Sequence, residues 1–350
     1  MTIIITDEDV RGLLSMPECI EAMRVAFTDL ADGQAANMPR MRYSVPTKTV
    51  NKQYLANIQA GAVPSFGVAA VRAGSRFMQF EETNGQRRVL HNPDPKNWTV
   101  IVLYDLETAE PLAFIHESHI SGIRVGATVG LAVDHLAKKN SEILALFGSG
   151  AQAGPILEAI TSVRALSEIR VYSPTRSNRE AFAQKYRQQG LNVLVRDKPD
   201  NLVPGADIVA CATNTAEPVF ESCQLEKGQT LITIVNSDVT GRREEVDPEV
   251  FGKASRVIIN DWDSVHANSQ IELLEAIDSG SIARQNIATL GEVVSGRVQG
   301  RQSDDEIVYY KNNTGLGMQF AAAGGLVFRK MKDKKTRMEI PTNWLGSEVT

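Results

Sequence analysis

Between residues 145 and 153 an apolar run leads into two spaced glycines and a small residue: Ala145-Leu146-Phe147-Gly148-Ser149-Gly150-Ala151-Gln152-Ala153. This pattern, between a strand and a helix, suits the binding of a dinucleotide pyrophosphate. Gly148 permits the tight turn, Gly150 has no side chain to block the phosphates, and Ala153 lets helix and strand pack closely. Backbone N–H groups of Ser149, Ala151 and Gln152, at the helix N-terminus, complete the expected cradle. The next strand ends Val171-Tyr172-Ser173-Pro174-Thr175-Arg176, where an NAD-specific site carries an acid for the ribose 2′-OH. No acid stands there. Ser173, Thr175 and Arg176 suit a 2′-phosphate, so NADP(H) is favoured and NAD(H) stays open; Arg176 as a plain solvated charge is the other reading. Thr213 and Asn214, after the Ile208 to Cys211 strand, are added to the expected cofactor contacts.

Two further groupings carry weaker signals. His116 and His119 flank Glu117, but this spacing with no further ligand makes a poor metal site, and none is expected; a histidine at 119 or 116 that faces the substrate is the preferred reading of the two. Asn312, Asn313 and Thr314 are either donors near a nicotinamide or the cap of the last helix, the cap being preferred.

The elements that must position these residues fall into two textures. Residues 5 to 31 read as two short helices separated at Pro17. From Met41 to Ala113 short β-rich runs alternate with Gly, Pro and Asn, which predicts an antiparallel sheet interrupted by a polar excursion over 79–97. Ser121 to Leu136 is a buried linking helix. From residue 142 strands and helices alternate (Ile143 to Phe147, Ile169 to Tyr172, Leu191 to Val195, Ile208 to Cys211, Leu231 to Val235, Val257 to Ile259), which predicts a Rossmann-type α/β fold, a doubly wound parallel sheet. A helix is expected over Asp263 to Ile277 and a late apolar one over Gly315 to Met331. The expected division is an N-terminal α+β substrate and dimerisation domain, 1–120, to which 315–350 return, and a dinucleotide domain, 121–314.

A chain of 350 residues has room for two such domains. Its net charge of -5 offers no broad attraction to nucleic acid or to an anionic membrane. No stretch approaches the roughly 18 apolar residues of a membrane span. Three scattered cysteines (Cys19, Cys211, Cys223) make neither a disulfide framework nor a zinc site, and a cytoplasmic location is expected. The expected partner is a small molecule.

Several separated stretches resemble the ornithine cyclodeaminase and μ-crystallin family: Arg42 to Pro46, Asp105 to Ala113, Ile120 to Arg124, Gly148 to Ala153 and Lys311 to Met318. The resemblance implies a homodimer acting on a small α-amino, α-imino or keto acid. It implies that Arg42, Arg124 and Arg72 bind the substrate carboxylate, which suits paired guanidinium donors. It also implies catalytic positions at Asp238 and at Arg72, where most members have lysine. For Asp238 the alternative is a turn that ends the preceding strand.

The chain departs from the family around the substrate. Asn236-Ser237 replace paired glycines, Thr240-Gly241-Arg242 replace Pro-Gly-Lys, and Ile58-Gln59-Ala60 replace Met-Pro-Ala. Val125 stands for a threonine and Ala322 for an acid. The leading expectation is hydride transfer between NADP(H) and the α-carbon of an amino or imino acid. A redox-neutral cyclodeaminase and a non-catalytic cofactor-binding protein are the alternatives.

Overall fold

The computed structural model describes residues 1–83, 86–90, 97–237, 243–313, 315–334 and 338–347. The chain divides into two units: residues 1–14, 33–121 and 315–350 form one, and residues 15–32 and 122–314 the other.

The first unit opens with β1 (Thr2–Ile5) and α1 (Asp7–Leu13), whose start is fixed by a capping box between Thr6 and Asp9. After α2 (Met16–Ala31) come β2 (Ala36–Asn37), β3 (Met41–Pro46), β4 (Lys52–Val63), β5 (Val68–Thr83), β6 (Gln86–Leu90), β7 (Trp98–Asp105) and β8 (Pro111–His116). Helix α10 (Gly317–Met331) and β17 (Met338–Ile340) return late in the chain. The sheet order is β17-β1-β8-β7-β5-β4-β2, with β3 on β4 and β6 on β5. Its pairings are antiparallel except β1 with β8. The strands expected to be short are not: β4 has 12 residues and β5 has 16. Some of the 79–97 excursion is simply β5 continuing and pairing with β6; residues 84–85 and 91–96 lie outside the described residues.

One face of this sheet carries Leu55, Val63, Val68, Ala70, Ile101, Leu103 and Ile115, all buried. Helix α10 packs on that face because glycines let backbones meet: a Cβ on Gly61 would strike the Met318 amide, and one on Gly317 the carbonyl of Ala60. Each such buried Leu, Ile or Val contributes about 1.5–3 kcal/mol.

The second unit contains α2, α3 (Ser118–Leu136, entered from the first unit), β9 (Ile143–Phe147), α4 (Ala153–Val163), β10 (Glu168–Tyr172), α5 (Arg176–Arg187), β11 (Val193–Val195), β12 (Ile208–Cys211) and β13 (Thr230–Thr233). It continues with α6 (Glu249–Lys253), β14 (Arg256–Ile259), α7 (Trp262–Ala267), α8 (Ile271–Asp278), β15 (Ile287–Thr289), α9 (Leu290–Val294) and β16 (Val308–Lys311). Its eight strands are all parallel, in the order β11-β10-β9-β12-β13-β16-β14-β15. The central strands are buried on both sides, which explains why they read as unbroken apolar runs. The chain runs from β9 outward to β11, then jumps back to β12, so the switch point lies between β9 and β12.

Three expectations need correction. Residues 15–32 pack with the second unit, because the buried stripe of α2 (Ile20, Met23, Phe27) lies against α4 and α9. Two helices do form over this stretch, but the break falls at Leu14 and Ser15 and the second helix is not short: Pro17 sits in the first turn of the 16-residue α2, where its missing N–H costs nothing. The helix expected over Asp263 to Ile277 is two, because Ser269 takes a left-handed φ of 51° and Gln270 N–H turns back to the Val265 carbonyl.

Candidate functional site

Gly148 follows β9 at the switch point with φ 107°, and its N–H donates to the Tyr172 carbonyl at 2.8 Å. A Cβ there would collide with the Ala212 carbonyl, so this position requires glycine sterically as well as conformationally. A Cβ on Gly150 would meet nothing within 4 Å, so the strand-to-helix turn is open at that point. Ala153 is fully buried at the start of α4, and Gly154 lets that helix approach the Tyr186 hydroxyl. The amides of Gly150, Ala151 and Gln152 precede the first helical turn and have no backbone acceptor among the described residues. Ser149 and Gln152 are half-buried and Ala151 is exposed. The arrangement can receive an anion through backbone N–H groups.

At the end of β10, Ser173 is buried, while Thr175 and Arg176 are exposed at the start of α5. The neighbouring Arg179 is committed elsewhere, donating to the Ser173 and Pro174 carbonyls and, at 2.7 Å, to Asp197. Thr213 follows β12, but its N–H and its hydroxyl both donate to Glu245 Oε1 at 2.8 Å. Only its lone pairs remain for a ligand. Asn214 is exposed.

Sequence reasoning missed Glu245. Its other oxygen accepts from the amides of Ile234 and Val235 at 2.8 and 2.9 Å, so one buried carboxylate ties the ends of β12 and β13 together. Burial pushes its pKa up, against the lowering effect of these hydrogen bonds. Sequence reasoning also missed the ion pair between Lys311 Nζ and Glu272 Oε1, 2.6 Å apart with side chains 3% and 7% exposed. Both residues line a small cavity with Thr233, Val235, Glu245 and Tyr309. No local pattern marks these residues, because their partners lie far away in sequence.

Asn312 and Asn313 do not cap the last helix, whose N-cap is Leu316. Their side chains are used within the sheet: Asn260 Nδ2 donates to Asn312 Oδ1 at 2.7 Å, Asn260 N donates to Asn313 Oδ1 at 2.6 Å, and Asn313 Nδ2 donates to the Asp261 carbonyl at 2.8 Å. Thr314 lies outside the described residues.

In the first unit, Arg42 on β3 stands opposite Asn57 on β4, and Arg72 on β5 stands opposite Gln59. Directly opposed residues share a sheet face, so Arg42, Asn57, Gln59 and Arg72 all project to the side on which α10 packs. Arg72 is 8% exposed, with Nη1 donating to the Asn57 carbonyl at 3.3 Å and Nε 3.3 Å from Glu117 Oε1. The His116, Glu117 and His119 group does not converge. His119 N–H donates to Asp7, His116 lies 3.5 Å from the same carboxylate, and Glu117 turns to Arg72. No cluster of three metal-binding side chains occurs among the described residues. Arg124 belongs to the second unit, buried within α3. Asp238 lies outside the described residues.

Among the described residues no helix is long and apolar enough to cross a membrane. The chain is 27% identical over 340 residues to an alanine dehydrogenase of Archaeoglobus fulgidus, covering 97% of this chain and 98% of that protein. It is 28% identical over 315 residues to a Delta(1)-pyrroline-2-carboxylate reductase of Bacillus cereus, covering 89% and 91%. Among solved structures, an archaeal alanine dehydrogenase described as a dimer with bound NAD matches with TM-score 0.79 and 25% identity, over 97% of this chain and 99% of that one. The Thermococcus litoralis Delta(1)-pyrroline-2-carboxylate reductase shares the fold with TM-score 0.82 at 24% identity, over 97% and 100%. The model of the ornithine cyclodeaminase/mu-crystallin family matches residues 1–335, and the chain belongs to that family.

Proposed function

We propose that this protein is an NAD(P)-dependent oxidoreductase acting on the Cα–N bond of a small α-amino or α-imino acid. The observation that carries the reading is the Gly148 to Ala153 turn at the switch point of a parallel sheet, with open space at Gly150 and amides left without a backbone acceptor. The relatives named above as alanine dehydrogenase and pyrroline-2-carboxylate reductase support the reaction class. When bound, the nicotinamide supplies or accepts the hydride. Arg42, Arg72 and Arg124 hold the substrate carboxylate, and Asp238 manages a proton on the substrate nitrogen. Arg72 orients and does not exchange a proton, since a guanidinium stays protonated.

The absence of a carboxylate from Ser173 to Arg176 supports NADP(H), with Ser173, Thr175 and Arg176 around the 2′-phosphate. Asn214 and the lone pairs of Thr213 complete the cofactor contacts. The three cysteines are free, in keeping with a reducing cytoplasm. The exposed face of the first-unit sheet supports a homodimer.

Purified protein assayed with NADPH and with NADH against α-keto acids plus amines, and against cyclic imines, tests the reading. Oxidation of NADPH in preference to NADH is expected, with Arg176→Ala erasing the preference. Gly150→Glu places bulk and negative charge at the pyrophosphate and is expected to abolish binding; a folded variant that still titrates cofactor would sink the site. Asp238→Asn should bind cofactor normally while turnover falls roughly 100-fold or more. Wild-type turnover by that variant would return Asp238 to a turn-forming role. Ammonia release without net cofactor change would identify a cyclodeaminase instead, and cofactor binding with no turnover of any substrate would identify a binding protein.

A further inference from the structure

Arg72 and Glu117 form a buried pair that is poorly satisfied inside the protein. Their side chains are 10% and 4% exposed, and Arg72 Nε stands 3.3 Å from Glu117 Oε1, yet neither atom makes a well-directed hydrogen bond. Asn57 Oδ1, beside them, is likewise buried and unpartnered. Among the described residues, the other polar contact of Arg72 runs from Nη1 to the Asn57 carbonyl. Buried charges normally collect more hydrogen bonds than this, because desolvation is otherwise uncompensated.

Packing nevertheless holds the pair in place. A Cβ on Gly74 would come within 2.7 Å of Arg72 Nη1, so the guanidinium lies over the strand in space that a side chain at 74 would make it yield. The Phe320 ring of α10 lies 5.9 Å from Arg72 Cζ. A fixed cation therefore stands next to a fixed anion, each with hydrogen-bonding capacity left over. An α-amino acid presents the reverse arrangement, a carboxylate and a charged nitrogen joined through one carbon.

We propose that Glu117 is a substrate-binding residue that accepts a hydrogen bond from the α-ammonium or iminium N–H while Arg72 takes the carboxylate. This rests on the substrate class proposed above and adds to it a residue that selects nitrogen-bearing acids over acids with no such N–H. Nothing is oxidised or transferred in this step; it is recognition.

The test uses the full chain with oxidised cofactor bound and two matched ligand pairs: L-proline with cyclopentanecarboxylate, and L-alanine with propionate. Within each pair the carboxylate is kept and the nitrogen is lost. Calorimetry on Glu117→Gln is expected to show the amino acids weakened about tenfold or more, as loss of a charge-assisted bond implies. The nitrogen-free acids should stay within about twofold, and their unchanged binding also shows that the variant is folded. Arg72→Ala should weaken both members of each pair. Glu117→Asp, which keeps the charge but shortens the reach, should fall between wild type and Glu117→Gln, and serves alone if the latter does not fold. Equal effects on both members of a pair, or none on the amino acid, overturn the assignment while leaving the substrate class standing. Wild-type protein that binds none of the four ligands overturns the substrate class and the assignment together.

Discussion

Glu272 and Lys311 show what a single buried pair does for the second unit. Burial raises the carboxyl pKa of Glu272, but the adjacent Lys311 ammonium more than offsets this and holds it below the ordinary 4.5. A carboxylate with a depressed folded-state pKa adds stability that is fully present above its unfolded value and is lost as pH falls through the folded value. Glu272→Gln removes the charge and leaves the Lys311 cation buried. At pH 7 it should cost about 3–5 kcal/mol, the usual result of breaking a buried pair from one side. Below pH 4.5 the gap between wild type and variant should narrow, because the carboxyl of the unfolded chain takes up its proton first and the pair's stabilisation is lost as pH falls through the folded value. Urea melts at about pH 7, 5 and 3.5 check this, and a gap that is constant across that range would mean that the Glu272 carboxyl is not held below its ordinary value in the folded protein.

At the scale of elements, the α3 terminus and the strand ends depend on side chains acting as caps. Arg164, 6% exposed just after α4, donates from Nη2 to the carbonyls of Val133, Asp134 and Ala137, from Nε to Lys138 and from Nη1 to Val163. One guanidinium thus reaches two carbonyls in the last turn of α3, Val133 and Asp134, and two just beyond it, while the Leu136 carbonyl accepts from Arg301 Nε. Arg164→Met keeps much of the volume but strands several acceptors in a dry site. The second unit should lose roughly 3 kcal/mol or more, read as an earlier urea midpoint. A loss under about 1 kcal/mol would mean that water replaces the guanidinium.

At the scale of the whole molecule, the first-unit sheet has an apolar face on each side. The face toward α10 is covered. The other exposes Met41, Tyr43 and Val45 on β3, Val71 and Phe77 on β5, and Trp98 on β7, with Trp98 71% exposed. The register places these on one side, since Val45, Tyr54 and Phe77 are mutually opposed, as are Tyr43, Ala56, Ser75 and Trp98. A contiguous apolar face of this kind marks an interaction surface, and self-association about a two-fold axis is the simplest way to cover it. Light scattering should give twice the 38.3 kDa chain mass. Tyr43→Glu combined with Phe77→Glu should give the single-chain mass with cofactor titration intact. A wild-type single-chain mass at micromolar concentration would rule the dimer out.

The sequence by itself determined the second unit's architecture and its glycine turn, because those depend on short-range rules. A strand buried on both faces reads as an apolar run, and a turn that must pass a neighbouring carbonyl reads as Gly148. It also carried the arginines, through likeness to a family. What only the tertiary structure decided depends on partners distant along the chain. Pairing of β5 with β4 and β7 determines which way Arg72 points, and the return of α10 determines which sheet face is covered. Glu245 reaches back 32 residues to Thr213, and Lys311 reaches Glu272 across 39. Asn312 and Asn313, which looked locally like a helix cap, spend their side chains on Asn260 and Asp261, just after β14, instead. Glu117 shows the same limit most clearly: beside two histidines in sequence it made only a poor metal site and received no role, and the fold turns it to a guanidinium 45 residues away, because a buried carboxylate is stabilised by the nearest cation in space.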